Sequence, residues 1–314
     1  MTDTELGTVV ERLRENISRV VLGKPEVVQK ALVALLAGEH LLLEDVPGVG
    51  KTLVGKAMAK SLSGVFCRVQ FTPDLLPSDI VGSSVYHANT GEFVFNRGPI
   101  FANVVLADEI NRAPPRTQSA LLEAMSDHQV SADSETHKLP RPFIVIATQN
   151  PYEFEGTYPL PESQLDRFLM RISIGYPDRQ RERQVMATHR DGEPVDSLEP
   201  AARVEDIVRL QEQVRRVMVD ESIYDYILDI AEATRQSDEM QVGVSTRGVL
   251  SLYRAAQALA CVEGRSFVTP DDVKSLTAPV LAHRVTPRGY VHGGQREAVE
   301  ELVRRLVEGV TAPT

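Results

Sequence analysis

Short β-branched and apolar runs alternate with helix-period segments through the first two-thirds of the chain, which predicts a parallel sheet with helices on both faces. Five runs read as buried strands: His40–Glu44, Val65–Gln70, Val104–Ala107, Phe143–Thr148 and Met170–Ile174. The first is Leu-rich, so its composition alone also suits a helix. Thr52–Ser61 and Thr117–Ser126 read as helices between strands. Two segments interrupt the alternation. Ser84–Phe95 has Asn89-Thr90-Gly91 between two β-like runs and reads as a hairpin, and the polar Val130–Pro140 reads as a hairpin or loop just before the fourth strand.

After Tyr176-Pro177 the period becomes helical, with no convincing strand. Helices are predicted over Arg179–Thr188, Val204–Val217, Ile223–Arg235, Arg247–Val262, Pro270–Leu281 and Gln295–Glu308, with a loop over Asp191–Pro200. The expected architecture is an α/β domain over residues 1–176, built on a five-stranded parallel sheet, followed by a small all-α domain over residues 177–314.

Composition narrows the function. The 314 residues carry 44 acidic and 34 basic side chains, a formal charge of −10. That balance argues against binding nucleic acid by bulk electrostatics. Aromatic residues are only 5% and Trp is absent, which disfavours a base-stacking surface. Cys67 and Cys261 form no disulfide framework and suit a reducing compartment. The acidic start Met1-Thr2-Asp3-Thr4-Glu5 is unlike a signal peptide, and the longest apolar stretch, Ala31–Ala37, is too short to span a membrane. A cytoplasmic protein is expected.

The chemistry begins at Pro47-Gly48-Val49-Gly50-Lys51-Thr52, between the first strand and a helix. Glycines there let backbone N–H groups wrap a phosphate at the positive end of the helix dipole. Lys51 would reach the outer phosphates and the Thr52 hydroxyl would ligate Mg²⁺. Asp45 stands where the general P-loop pattern has its first glycine. The competing reading is a glycine turn before an ordinary helix.

Val104–Ala107 ends in Asp108-Glu109. Asp108 would hold Mg²⁺ through water, and Glu109 would act as general base on the attacking water. An acidic pair serving a switch without hydrolysis is the alternative. Asn150, after the fourth strand, could orient that water or simply form an Asn-Pro turn. Phosphoryl transfer also needs a cation for the developing charge. Spacing alone does not select one arginine from the many present.

Taken together, Glu44–Thr52, Arg97-Gly98-Pro99-Ile100-Phe101, Ala107–Arg112, Ala147–Pro151 and Tyr158–Phe168 resemble the MoxR family of AAA+ ATPases over most of the chain. In that family Asp at position 45 is common. The resemblance implies an ATP site built from Asp45, Val46, Pro47, Gly48, Val49, Gly50, Lys51, Thr52 and Leu53, with Val21-Leu22-Gly23 near adenine. It gives Asp108 and Glu109 the Walker B roles, Asn150 that of sensor 1, Arg167 that of an arginine finger, and Arg247 that of sensor 2 on a helical lid. It also implies a hexameric ring and Mg-ATP hydrolysis. The partner would be a separate client protein, in many relatives one with a von Willebrand factor A domain, and the two hairpins would face the pore or the client. A nucleic-acid motor on the same core, or an ATP-dependent assembly switch with little turnover, are the other functions this pattern allows.

Overall fold

The computed structural model describes residues 3–89, 91–132, 135–151, 156–289 and 296–313. Thr90 and residues 133 and 134, at the tips of the two expected hairpins, and Gln295, the expected start of the last helix, lie outside the described residues.

Two helices precede the sheet: α1 (Asp3–Ser18) and α2 (Pro25–Ala37). Pro25 starts α2 where no backbone donor is needed, and Gly38 ends it at φ 73°. The chain continues through β1 (Leu41–Glu44), α3 (Lys51–Ser61), β2 (Phe66–Gln70), α4 (Pro77–Val81), the hairpin β3 (Gly82–His87) and β4 (Glu92–Arg97), and β5 (Val104–Asp108). Then come α5 (Pro115–Asp127), the hairpin β6 (Gln129–Ala132) and β7 (Glu135–Lys138), β8 (Ile144–Gln149), the short α6 (Glu162–Leu165) and β9 (Met170–Ile172).

The main sheet runs β2-β5-β8-β1-β9, with every pair parallel. The five expected strands form it. β1, Leu-rich and buried at all four positions, is a strand because it lies between β8 and β9 with both faces covered. Alternating side chains feed two apolar layers. Leu41, Leu43, Leu106 and Ile146 face α1–α3, and Leu42, Val105, Ala107 and Val145 face α4 and α5.

The remainder is α7 (Arg179–Thr188), α8 (Val204–Val214), α9 (Glu221–Gln236), β10 (Met240–Val242), α10 (Thr246–Val262), α11 (Pro270–Leu281), β11 (Thr286–Pro287) and α12 (Arg296–Glu308). Two 3₁₀ turns, His189–Asp191 and Pro194–Ser197, take up half of the expected loop. The expectation of helices alone needs one correction: β10 and β11 pair as a small antiparallel ribbon. Asp220, Ser245 and Thr269 cap their helices by accepting backbone N–H bonds. α10 packs on α2, so one apolar core runs from α1–α3 into α8–α11. Among the described residues no helix is long and apolar enough to cross a membrane.

Candidate nucleotide site

Parallel α/β sheets present their ligands at the carboxyl ends of the strands. Register gathers the expected chemistry at that edge: Gln70 lies beside Asp108 and Glu44 beside Gln149. The loop after β1 carries two left-handed glycines, Gly48 (φ 85°) and Gly50 (φ 94°), and α3 starts at Lys51. A Cβ at Gly48 would meet nothing within 4 Å, so the backbone stands open for an anion to approach. Pro47 and Gly48 are exposed, whereas Val49 and Leu53 pack on the core and fix the loop from beneath.

Asp45 and Lys51 hold the loop in shape. Asp45 Oδ1 accepts from Val46 N at 2.8 Å, and Oδ2 accepts from Ile174 N and Gly175 N at 2.8 and 2.6 Å. Lys51 Nζ donates to Asp45 O at 2.7 Å. A glycine at position 45 could not make those side-chain bonds, which is the physical reason for the departure from the general P-loop. Behind the loop, buried Glu44 accepts from Gln149 at 2.7 Å and pairs with Arg171 at 3.3 Å, while Arg296 of α12 donates to Glu44 O at 2.9 Å.

The acids are equally well held. Asp108 Oδ1 accepts from Thr148 Oγ1 at 2.6 Å, and the same hydroxyl accepts from Glu109 N at 2.9 Å. Arg68 Nη2 reaches Asp108 Oδ2 at 2.6 Å. Glu109 adopts φ 57°, a left-handed conformation that costs a non-glycine residue about 1 kcal/mol or more. Its carboxylate accepts from Gln70 Nε2 at 2.8 Å and lies 3.3 Å from Arg112 Nε. Asn150 is buried directly after β8, on the same edge.

Val21, Leu22 and Gly23 line a cavity of about 740 Å³ with Lys24, Arg19 and Arg181. Gly23 sits at φ 71°, and Arg181 lies so close across it that a Cβ there would be 2.9 Å from Arg181 Cγ. Lys24 Nζ donates to Tyr176 O at 2.9 Å, so the cavity borders the same segment that Asp45 grips.

The two arginines lie elsewhere. Leu169 N bonds to His40 O, which puts Arg167 by the amino end of β1. Arg167 and Arg247 line a second cavity, of about 390 Å³, with Glu39, His40 and Asp166. β1 itself, four residues long, separates this edge from the P-loop by roughly 13 Å at about 3.3 Å per residue. The structure therefore brings Lys51, Thr52, Asp108, Glu109 and Asn150 to one edge, and Arg167 with Arg247 to the other.

Comparison with known proteins accords with this geometry. The profile of the ATPase family associated with various cellular activities (AAA) matches residues 40–170, and that of the AAA lid domain matches residues 232–306. Chaperone MoxR1 of Mycobacterium tuberculosis is 40% identical over 313 residues, covering 97% of this chain and 82% of that protein. The chain belongs to the MoxR family of AAA+ ATPases. Another relative, the uncharacterized Bacillus subtilis protein YeaC, is 48% identical over 98% of this chain and 96% of its own length. A crystal structure of a candidate ATPase from Cytophaga hutchinsonii superposes with a TM-score of 0.89 at 34% identity, covering 99% of this chain and 97% of that one. This MoxR-family chain is thus an α/β AAA+ ATPase with a helical lid.

Several residues that shape the site have no role assigned from the sequence, although Arg112 and Asp166 lie within the family-like segments Ala107–Arg112 and Tyr158–Phe168. Gln70, Arg68 and Arg112 touch the two acids, and Asp166 and Arg284 fix the arginine edge. The one sequence signal for Gln70 is its place at the polar end of an apolar strand, as with Asp108. For Asp166 it is adjacency to Arg167.

Proposed function

We propose that this ATPase acts as a hexameric ring that cuts ATP between protomers and uses the cycle to remodel or mature a separate partner protein. The observation that carries the reading is the separation of the P-loop from Arg167 and Arg247 at opposite edges of one sheet. A guanidinium on the far edge cannot serve its own chain's triphosphate, but it is available to a neighbour's. Arg167 would be the finger and Arg247 the second arginine, both acting in trans.

Within a site, residues 1–176 would supply the nucleotide-binding part and residues 177–314 the lid. The backbone from Val46 to Gly50 and the Lys51 ammonium would cradle the β- and γ-phosphates, with adenine against Val21, Leu22 and Gly23. The donor set of one hydroxyl and one carboxylate, Thr52 and Asp108, suits Mg²⁺, which when bound would neutralise phosphate charge. Glu109 would take a proton from water as its oxygen attacks the γ-phosphorus, and the bond to the ADP oxygen breaks. Asn150 would hold that water in line.

The name of the mycobacterial relative supports a protein client, and a partner with a von Willebrand factor A domain fits the family. The β3–β4 hairpin, with Tyr86 55% and Phe93 73% exposed, is the element best suited to touch it. Phe95 stacks on His137 of the second hairpin at 4.1 Å, which joins the two.

The deciding experiment compares Lys51→Ala and Glu109→Gln with the unmodified protein for phosphate release, ATP-dependent ring mass and proteins captured from a native lysate. Lys51→Ala should lose all three. Glu109→Gln should release no phosphate yet retain ATP, ring and protein partner. Recovery of nucleic acid alone, or DNA-stimulated turnover, would replace this reading with a nucleic-acid motor. Rings that form with ATP without phosphate release by the unmodified protein would make it an assembly switch.

A further inference from the structure

Asp166 stands between two arginines of the lid that sequence motifs do not connect. Arg284, just after α11, is buried to 1% side-chain exposure, a setting in which a guanidinium needs a counter-charge and saturated donors. It obtains both from one short segment. Arg284 Nε donates to Asp166 Oδ1 at 2.8 Å, Nη1 to Leu169 O at 2.9 Å, and Nη2 to Phe168 O at 2.6 Å. Ser251 Oγ of α10 and Val280 O accept two more of its bonds. The stretch that contains Arg167 is therefore clamped on both sides of that residue by a single lid side chain.

The second carboxylate oxygen of Asp166 faces the other way. Oδ2 lies 3.7 Å from Arg247 Nη1, whose side chain remains 58% exposed. Arg167 meanwhile directs Nη1 to Leu122 O and Ser126 Oγ of α5, and its buried Nε has no hydrogen-bond partner among the described residues. Without Asp166, two guanidinium groups lining one cavity would repel each other, and Arg247 would lose the ion pair that restrains its long side chain.

We propose that Asp166 is a positioning residue for ATP hydrolysis: anchored from behind by Arg284, it holds Arg247 alongside Arg167 on the face offered to the neighbouring protomer's triphosphate. This rests on the reading that both arginines act on a neighbour. The carboxylate does not touch nucleotide. It sets where Arg247 stands and restrains the backbone of Arg167, so its loss should lower turnover while the same chain's P-loop still binds ATP normally.

The test uses Asp166→Asn, which keeps an oxygen for Arg284 but removes the charge. Turnover at saturating ATP should fall about ten- to a hundredfold, the scale of misplaced catalytic groups, with KM within about twofold. Mixing Asp166→Asn with Glu109→Gln, which releases no phosphate but keeps the ring and an intact arginine face, should then raise phosphate release per Asp166→Asn chain by about fivefold or more, because at equal mixing half of its sites gain a competent neighbour. A purely structural defect in Asp166→Asn would not be repaired by a neighbour. Unchanged turnover, or a loss that mixing leaves in place, would overturn the proposal. Arg167→Ala mixed with Glu109→Gln separates the two levels: failure of that pair sinks the trans reading itself, whereas its rescue beside a silent Asp166→Asn mixture sinks only the role of Asp166. Should Asp166→Asn not fold, Asp166→Glu, which displaces the charge by one methylene, is judged by the same mixing experiment.

Discussion

Gln70 Nε2 donates to Glu109 Oε2 at 2.8 Å across the β2–β5 pair, from the residue directly beside Asp108. Together with Arg112 at 3.3 Å it holds the Glu109 carboxylate in one orientation, through one hydrogen bond and one ion pair. Glu109 is thereby restrained as a base until this contact opens.

Gln70→Ala should consequently raise basal phosphate release about two- to tenfold, the ratio given by losing one partly exposed hydrogen bond to a charged group. Steady-state ATPase assays without any partner protein are the check. A fall in rate would mean instead that Gln70 orients Glu109 for catalysis.

Asp45 yields a second expectation. In Asp45→Asn the amide NH₂ must face one of the backbone N–H groups of Val46, Ile174 or Gly175 that now meet carboxylate oxygens. The unfolding free energy should drop by about 1–3 kcal/mol, and the melting midpoint by about 2–4 °C per kcal/mol. ATP affinity should weaken as well, because the loop loses its tie to the segment beside the Val21–Gly23 cavity. A fluorescent ATP analogue with a thermal melt reads both. An unaltered midpoint would show that the three bonds add nothing to the fold.

The sheet is legible in the sequence because its strands are short, mainly apolar runs, interrupted by Arg68 in β2 and Arg171 in β9, and the phosphate loop because its glycines and lysine sit where a strand meets a helix. α2 left no clear amphipathic signal: Val27, Val28 and Ala31–Leu36 are buried, so nearly its whole circumference is apolar. The β10–β11 ribbon joins three residues to two, with Pro287 among them, too little for any period to register. The partnerships that govern the acids and the arginines are hidden for another reason. Gln70 and Glu109 are 39 positions apart and Asp166 and Arg284 are 118 apart, brought together by strand register and lid packing rather than local spacing.

Acid should weaken the fold through His40. This ring is buried between β1 and α5, accepts from Val145 N through Nδ1 at 3.0 Å and donates from Nε2 to Met125 O at 3.0 Å, so both nitrogens are used by the neutral form. Burial pushes its pKa from 6.5 down to about 4, outweighing the Met125 bond, with the nearby His128 adding slightly. His283 is lowered in the same sense, chiefly by burial and then by Arg284. The unfolded chain protonates first as pH falls, so the contribution of His40 is intact above about pH 6.5 and is lost progressively down to about pH 4. The total is roughly 3 kcal/mol. Urea midpoints measured from pH 7.5 to pH 4.5 should therefore decline more steeply for the unmodified protein than for His40→Asn, which takes up no proton there, even though the variant starts from a lower stability at neutral pH. Parallel pH profiles for the two would show that His40 does not carry the acid sensitivity.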